Sequence, residues 1–295
     1  PGLLVTPTGS GKTLAALGGP LLQALKLGDA AATRKRGVAQ APRLRLLWIT
    51  PLRALATDTV RAMQEPIAAL GVPWTVAMRT GDASARDRRL ARKGLSDVLV
   101  TTPESFALML SYPDAPQLLA GVRGVVVDEW HELLGNKRGV LLQLCLARLR
   151  ALVPAAPLWG LSATLGNLVE ARDVLLPHAP DAAIVAAPRR RRMTLETLLP
   201  EEGERFPWAG HLGLSQLQRV AAVLQRARSS LLFTNTRSQA ELWHRALQSV
   251  WLDDPATLAL HHGSLDASLR AAAETGLRDG SVRCVVATSS LDLGV

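Results

Sequence analysis

The chain has 295 residues, 48% of them hydrophobic and 20% charged, which excludes a disordered polypeptide and provides for one large domain or two medium ones. Its formal net charge of +9 suits a polyanionic partner, although an arginine-rich composition explains that charge equally well. The two isolated cysteines, Cys145 and Cys284, exclude a disulfide framework, and neither a membrane-spanning run of roughly 18 apolar residues nor a targeting signal is present, so we expect a cytoplasmic protein with no membrane partner.

Short β-rich runs alternate with longer helical patterns up to about residue 187. The runs are nearly continuous in apolar residues, as in strands that are covered on both faces of a parallel sheet. Helical patterns such as 53–70 and 140–152 lie between them. The alternation predicts a doubly wound α/β domain. The predicted strands are 3–6, 44–50, 74–79, 97–101, 122–128, 158–162 and 183–187.

The pattern breaks down between residues 188 and 213, where prolines, glycines and charges form a connector. Alternation then resumes. The predicted helices are 215–228, 237–250 and 267–278, and the predicted strands are 230–234, 257–260 and 282–288. We therefore expect a first α/β domain over residues 1–187, a linker over 188–213, and the front of a second α/β domain over 214–295.

Two local signals mark helix boundaries. Thr236 and Gln239 have capping-box spacing, which predicts a helix that begins at this point. Gly18, Gly19 and Pro20 lie inside the first predicted helix, and proline removes a helical hydrogen bond. A kink or an early end of that helix is therefore expected.

A glycine-containing loop follows the first predicted strand and opens a helix, which is the setting of a phosphate-binding loop. Gly9 and Gly11 would turn backbone amides toward phosphate oxygens at the helix N-terminus. Lys12 would reach the β- and γ-phosphates of ATP, and the Thr13 hydroxyl would ligate Mg²⁺. Thr6 stands where the usual motif has its first glycine. The residues expected to bind the nucleotide are Thr8, Gly9, Ser10, Gly11, Lys12 and Thr13.

An acidic pair ends the predicted strand that runs through three consecutive valines, at the carboxyl edge where doubly wound sheets bind ligands. Asp128 would hold Mg²⁺, and Glu129 would orient and deprotonate the attacking water. Taken alone, the pair is equally consistent with an acidic surface turn. Joined to the phosphate loop, it predicts ATP hydrolysis.

The acidic box at residues 128–131 (Asp-Glu-Trp-His), together with the phosphate loop, resembles the DExH-box motors of helicase superfamily two. Further stretches match motifs of that superfamily in order and spacing. They are 50–55, 79–82 and 101–105, similar to motifs that grip the nucleic-acid backbone; 162–164, similar to the coupling motif; and 232–237, 261–264 and 287–295, similar to motifs of the second domain.

The amino-acid sequences of these motifs are most similar to those of large helicase-related (Lhr-type) proteins. Residues 205–211 are most similar to ligase-associated DEXH-box helicases. The resemblance implies two RecA-like P-loop domains, the second one incomplete. It also implies ATP-driven 3′-to-5′ movement on single-stranded DNA and unwinding of DNA or RNA–DNA duplexes in DNA repair. A DNA ligase and other repair proteins would be its partners.

The resemblance also implies roles for single residues. His131 would couple the sites by hydrogen bonding toward Ser162 or Thr164, and Gly294 would approach the nucleotide ribose. The coupling motif consists of Ser162, Ala163 and Thr164. The residues expected at the nucleic acid are Pro51, Arg53, Thr80, Gly81, Thr101, Thr102, Thr234, Asn235, Thr236, Arg237, His262, Gly263 and Thr288.

Several residues have an alternative reading. His131 is also consistent with a structural histidine, and Arg53 is equally consistent with a solvated surface arginine. The run 189–192 is better explained by a solvated linker than by a phosphate contact. Trp208 or Trp251 would stack on a base, whereas Trp48 and Trp159 are expected in the core. The histidine pair at 261–262 lacks a second ligand pair and predicts no metal site.

The chain stops inside the stretch that resembles the fifth motif, before the arginines that this superfamily directs at the γ-phosphate. We therefore expect residues 1–295 alone to bind ATP weakly and hydrolyse it poorly, because an arginine finger contributes on the order of 10³–10⁵ in rate. Two other functions remain open: an RNA helicase with the same motor, and a catalytically silent nucleic-acid-binding scaffold.

Overall fold

A computed structural model describes residues 1–7, 9–26, 43–81, 83–163, 165–187, 194–198 and 213–291. The chain divides into two compact units, Pro1–Arg191 and Arg192–Val295. The sequence predictions made for Thr8, Thr164, Gly294, Trp208 and the run 189–192 lie outside the described residues.

The first unit contains a seven-stranded sheet in which every described pairing is parallel, with the strand order β3-β4-β2-β5-β6-β1-β7. All seven strands predicted in this part of the chain are present, most of them shorter by one to three residues. The strands are β1 (Gly2–Val5), β2 (Leu46–Ile49), β3 (Val76–Arg79), β4 (Val98–Thr101), β5 (Gly124–Val127), β6 (Leu158–Ser162) and β7 (Ala183–Ala186).

Helices cover both faces of this sheet. Four of them (α3, α4, α5 and α7) were not named from the sequence pattern. The helices are α1 (Lys12–Lys26), α2 (Arg53–Ala69), α3 (Ala85–Arg92), α4 (Pro103–Leu110), α5 (Ala115–Leu119), α6 (Lys137–Leu152) and α7 (Leu168–Leu175).

Successive side chains of one strand enter two different cores. Leu46 and Trp48 of β2 pack with α1 and α2, whereas Leu47 and Ile49 pack with the helices of the other face. Strand side chains alternate between the two faces of a sheet, so a strand that is buried on both faces is apolar at every position. The continuous apolar runs therefore predicted a doubly covered parallel sheet correctly.

The early end predicted for the first helix was wrong. Helix α1 continues through Pro20 to Lys26. Leu17, Leu21 and Ala24 lie on its buried face, on both sides of the proline. Burial of this apolar stripe stabilises the helix by more than the hydrogen bond that Pro20 cannot make.

The second unit has a three-stranded parallel sheet with the order β8-β10-β9. Its strands are β8 (Ser230–Phe233), β9 (Leu258–His261) and β10 (Cys284–Ala287), and its helices are α8 (Leu217–Arg226), α9 (Arg237–Gln248) and α10 (Ala267–Asp279). Thr236 caps α9 by accepting a hydrogen bond from the Gln239 amide at 3.2 Å, which confirms the predicted boundary.

The suggested base-stacking role of Trp251 was wrong. Its ring lies in the core of the second unit with Trp243 and Leu247, and only 9% of the residue is exposed. The indole Nε1 donates a hydrogen bond to Thr257 Oγ1 at 3.0 Å. A buried indole with a satisfied N–H has neither the face nor the donor free for a base.

A close backbone approach in the first unit yields a stability prediction. A Cβ at Gly139, in the first turn of α6, would lie 1.9 Å from the Leu133 carbonyl oxygen. Gly139→Ala should therefore lower the free energy of unfolding by about 1–3 kcal/mol, since backbone must move to admit the methyl group. Denaturant unfolding of the variant measures the loss.

Gly18→Ala is the matched control, because a Cβ at Gly18 in α1 meets no atom within 4 Å. That change should leave stability unchanged or raise it by up to about 1 kcal/mol, through the lower conformational entropy of the unfolded chain. Equal effects of the two substitutions would contradict the packing described for Gly139.

Candidate functional site

The loop between β1 and α1 has the backbone of a phosphate cradle. Gly9 and Gly11 adopt φ values of 77° and 87°, in the left-handed region that other residues rarely enter. Ser10 Oγ donates a hydrogen bond to Thr6 Oγ1 at 2.6 Å, which ties the two ends of the loop together. The first turn of α1 carries no acidic residue, so its partial positive charge is left for an anion.

Lys12 makes an ion pair with Glu129, a residue far away in the sequence. Its Nζ lies 3.1 Å from Oε1 and 3.2 Å from Oε2 of the Glu129 carboxylate. Lys12 is 8% exposed, and the side chain of Glu129 is 15% exposed. The pair joins the phosphate loop to the acidic box, the two halves of the nucleotide site predicted from the sequence.

Asp128 follows the carboxyl end of β5 and is buried. Its backbone amide donates to the Ile49 carbonyl at 2.8 Å, which continues the pairing of β2 and β5. The carboxylate accepts hydrogen bonds from Trp48 Nε1 at 3.2 Å and from the Glu129 amide at 2.9 Å. Burial, and next the Glu129 carboxylate, raise the pKa of Asp128 to about 6.

Glu129 is the one non-glycine residue with positive φ in the described part of the chain, at φ 44° and ψ 51°. A left-handed conformation costs an ordinary residue roughly 1–2 kcal/mol. The turn points three consecutive side chains in different directions. Asp128 follows the strand, Glu129 contacts Lys12, and Trp130 packs in the core. Trp130 is fully buried, and its Nε1 donates to the Ala171 carbonyl at 2.9 Å.

His131 connects the acidic box to the coupling motif. Its Nδ1 lies 2.9 Å from Ser162 Oγ and 3.5 Å from Glu129 Oε2, so the tautomer decides whether Nδ1 donates a hydrogen bond or accepts one from the Ser162 hydroxyl. Ser162 also accepts a hydrogen bond from the Thr6 amide through its carbonyl oxygen at 3.0 Å. The expected contact between His131 and Ser162 is present, and Ala163 follows directly. The phosphate loop, acidic box and coupling motif thus form one hydrogen-bonded network.

The donor set fits Mg²⁺ bound together with a nucleotide. The described residues contain no group of three or more His, Cys, Asp or Glu side chains that could hold a metal by themselves. Mg²⁺ keeps several water ligands and takes the rest from one or two protein oxygens and from phosphates. Asp128 and Thr13 supply such oxygens, and a nearby cation would offset the cost of ionising the buried Asp128 carboxyl group.

The predicted strand-binding residues of the first unit follow the carboxyl ends of β2, β4 and β3, which are neighbours in the sheet. Pro51 is buried, and the Arg53 guanidinium lies against Gly81, where an added Cβ would meet its nitrogen at 3.3 Å. The structure thus brings Arg53 and Gly81 together, although 27 residues of chain separate them.

The threonines of this row differ in what their hydroxyl groups contact. Thr101 donates to the Arg79 carbonyl at 2.8 Å, and Thr102 caps α4 by accepting from the Ser105 amide at 3.5 Å. The buried Thr80 hydroxyl has no hydrogen-bond partner among the described residues. A buried hydroxyl without a partner is costly, which makes Thr80 the threonine best placed to receive an outside group.

The predicted contacts of the second unit lie beyond its strand ends. Thr234, Asn235, Thr236 and Arg237 follow β8, and the last three are exposed. The Thr234 amide donates to the Ala287 carbonyl at 2.8 Å, so this loop stays in register with β10. The Thr236 hydroxyl is used by the helix cap, which leaves Asn235 and Arg237 as the exposed donors.

The histidine pair after β9 is buried between helices. His261 Nε2 lies 3.1 Å from Glu274 Oε1, and His262 Nε2 lies 3.4 Å from Glu241 Oε1. His262 Nδ1 also accepts from the Ser264 amide at 3.3 Å. The ring of His262 therefore supports the loop, and the neighbouring Gly263 is exposed.

Thr288 follows β10, and its backbone connects the end of that strand to the end of β9. Its amide donates to the His261 carbonyl at 3.2 Å, and the residue itself is nearly buried. The strand-binding roles of these second-unit residues stay predictions.

No helix in the described ranges is both long and apolar enough to cross a lipid bilayer.

Residues 2–171 match the family model of the DEAD/DEAH box helicases. The ATP-dependent helicase Lhr-Core of Methanocaldococcus jannaschii is 31% identical over 303 residues, covering 99% of this chain and 35% of the relative. The Lhr helicase/uracil glycosylase of Escherichia coli is 33% identical over 356 residues, covering 99% of this chain and 22% of the relative. The chain spans about a third or less of the length of these curated relatives.

Among solved structures, the helicase Lhr of Mycobacterium smegmatis bound to ssDNA and AMP-PNP is similar over 100% of this chain and 38% of its own, with a TM-score of 0.73 and 34% identity. The DUF1998 helicase MrfA bound to DNA and AMPPNP gives a TM-score of 0.75 at 20% identity, covering 100% of this chain and 40% of its own, which concerns the fold alone. These neighbours confirm the predicted RecA-like α/β fold.

The buried Asp128 carboxyl group leads to a pH prediction. Its pKa rises from 3.8 to about 6 on folding, so the unfolded chain loses this proton at lower pH than the folded protein does. Relative to Asp128→Asn, the metal-free wild type should lose about 2 kcal/mol of stability as the pH rises from about 4.5 to 7.5, the larger part of the roughly 3 kcal/mol that the full pKa shift contributes.

Urea unfolding of both proteins in EDTA between pH 4.5 and 7.5 measures this difference. The asparagine side chain does not titrate, so subtracting its curve removes the contribution of other groups. A stability difference that stays constant with pH would contradict the raised pKa.

Proposed function

The chain belongs to the DEAD/DEAH box helicase family, and we propose that it is the motor of an ATP-dependent helicase that moves along single-stranded DNA. The observation that carries the proposal is the contact of Lys12 with Glu129 beside the buried Asp128. Three groups from two separate motifs thereby meet at the carboxyl edge of one sheet. This arrangement supports nucleoside triphosphate hydrolysis, because binding, metal and water-activating groups are all in place.

The residues divide the chemistry as follows. Lys12 and the amides of the loop would hold the β- and γ-phosphates, with Thr13 and Asp128 holding Mg²⁺, which neutralises phosphate charge when bound. Glu129 would orient the attacking water and accept its proton. Glu129 can take that role only after Lys12 has moved from it to the phosphates.

Coupling to the strand would run through His131. Its ring contacts both Glu129 and Ser162, so a change of charge or position at Glu129 alters the hydrogen bond to the coupling motif. Ser162 in turn accepts from the Thr6 amide of the phosphate loop. We propose that this network reports γ-phosphate loss to Ser162, Ala163 and Thr164.

The track would lie across the loops that follow β2, β4 and β3. Hydroxyls, backbone amides and the Arg53 guanidinium bind phosphates without regard to base sequence. The mycobacterial relative was solved with ssDNA and AMP-PNP, which supports DNA as the track. An RNA track is the second candidate. The structure of S. cerevisiae Dbp5 bound to RNA is similar to this chain at 18% sequence identity. At that identity the similarity concerns the fold alone.

We also propose the finer properties that the resemblance implies. These are 3′-to-5′ movement, unwinding of DNA and RNA–DNA duplexes, and a cytoplasmic role in DNA repair alongside a DNA ligase and other repair proteins. Residues 1–187 would form the ATP-binding domain, 188–213 the linker and 214–295 part of the second motor domain, with Gly294 near the ribose.

Glu129→Gln tests the hydrolysis step. The amide cannot accept the water proton, so strand-stimulated phosphate release by the full-length protein should fall by about 10²–10⁴. Glu170→Gln is the matched control, an exposed glutamate in the first turn of α7, and should keep the wild-type rate. Hydrolysis by Glu129→Gln at the wild-type rate would contradict the assignment.

Strand displacement tests the track and the direction. Full-length protein should separate duplexes that carry a 3′ single-stranded DNA tail, in an ATP-dependent manner, and leave 5′-tailed duplexes intact. Efficient loading on an RNA tail but not on a DNA tail would favour the RNA helicase. Failure of the full-length protein to hydrolyse ATP with any polynucleotide would favour the silent scaffold.

A further inference from the structure

Helix α3 carries an unbroken cationic face. Its four arginines and the lysine that follows its last residue are all exposed, whereas Ala91 is buried and Asp87 is half-buried. At 100° per residue, the five basic positions span roughly 160° of the helix surface without an acidic residue among them. They are Arg86, Arg88, Arg89, Arg92 and Lys93.

The structure leaves most of this charge uncompensated. The one acid of the helix, Asp87, accepts a hydrogen bond from Ser84 Oγ at 2.6 Å. Arg92 is paired with Asp114 at 2.5 Å, but Arg86, Arg88 and Arg89 have no ion pair among the described residues. Four or more positive charges therefore face outward from a helix of eight residues.

Helix stability explains only the basic residues of the last turn, Arg89 and Arg92, which the helix dipole favours. Arg86 and Arg88 lie in or next to the first turn, where the helix dipole disfavours cations. Arg88 and Arg92 are four residues apart, as are Arg89 and Lys93, and like charges at that spacing destabilise a helix by about 0.2–0.5 kcal/mol per pair. An external polyanion would relieve both costs.

The position of α3 indicates which polyanion fits. The helix packs on β3, the edge strand, and in the sheet order four strands lie between β3 and β1. That distance is roughly 24 Å at 4.8 Å per strand, too far for the phosphates of a nucleotide held at Lys12. Three residues separate Gly81 from Ala85, where α3 begins, so the cationic face lies next along the chain to the row of predicted strand contacts.

A tyrosine fixes the helix to that row. Tyr112 is the single tyrosine of the chain. Its hydroxyl accepts a hydrogen bond from Arg79 Nη2 at 2.5 Å, and the guanidinium of Arg92 lies 4.6 Å from its ring centroid. Arg79 is the last residue of β3, next to Thr80, so the ring holds the end of α3 beside the strand-binding loop.

We propose that the cationic face of α3 binds the phosphate backbone of the single strand beyond Thr80 and Gly81, as a second contact of the motor with its track. This inference rests on the proposed nucleic-acid motor. An eight-residue helix is about 12 Å long, which matches about three phosphates of one strand. A contact with phosphates gives affinity without base specificity, because the backbone is the same for every base.

The test is the triple change R86Q/R88Q/R89Q in the full-length protein, with binding of oligo-dT measured by fluorescence anisotropy over a range of salt concentrations. Losing about three phosphate contacts should weaken binding on the order of tenfold at low salt. It should also flatten the slope of log K against log salt by about two. Without DNA, the triple variant should be as stable as wild type or more stable at low salt, since repulsion within α3 is removed.

The matched control replaces Arg123, Arg148 and Arg150, three exposed arginines elsewhere on the first unit, with glutamine. It removes the same charge and should leave the affinity and the salt slope much closer to wild type. Equal losses in both triple variants would show that net charge alone is responsible, and would overturn the assignment to α3.

Further measurements distinguish a failure of the α3 contact from a failure of the proposed function. If a blunt duplex, and not oligo-dT, shows the loss, the single-strand assignment is wrong. If oligo-dT stimulates ATP hydrolysis by the wild type but the α3 variant binds it with unchanged affinity and slope, only the α3 contact fails. If oligo-dT neither binds to the wild type nor stimulates its hydrolysis, the proposed function and the α3 contact fail together.

Discussion

The ion pair between Lys12 and Glu129 is the interaction on which the nucleotide site depends. It joins residues 117 positions apart, and both charges are largely removed from water. Each charge compensates the other, because a buried ion without a partner carries a penalty of several kcal/mol. The lysine that would bind phosphates and the glutamate that would activate water are therefore each occupied by the other. In the proposed mechanism, nucleotide binding would exchange this pair for new partners before hydrolysis begins.

The left-handed backbone at Glu129 makes that pair possible. Between a strand that ends in Asp128 and a tryptophan that must enter the core, only a sharp turn directs the Glu129 carboxylate toward Lys12. The packing of Trp130 compensates for the strain, since its ring is fully buried and its N–H is satisfied. The same turn places His131 against Ser162. One strained residue thus sets the positions of Glu129 and His131, the proposed water-activating and coupling groups, together.

The sequence predicted the parallel sheets, their strands and both halves of the ATP site, because apolar runs and loop motifs are local signals. Contacts between distant residues left no such signal. Trp48 was expected in the core, yet it also donates to Asp128. The Glu129 conformation and the partners of the buried His262 depend on the folded packing. Helix α3 was not predicted from the sequence, because its many arginines obscure the short apolar stripe that indicates a helix. Ser84 at its start is an ordinary N-cap.

We propose that Glu129 holds Lys12 until a nucleotide replaces it. The most direct measurement is the affinity of the full-length protein for a non-hydrolysable ATP analogue, compared between wild type and Glu129→Gln by calorimetry. A neutral amide holds the lysine less strongly, so the account predicts tighter binding of the analogue by Glu129→Gln. Unchanged or weaker binding by the variant, at wild-type stability, would contradict it.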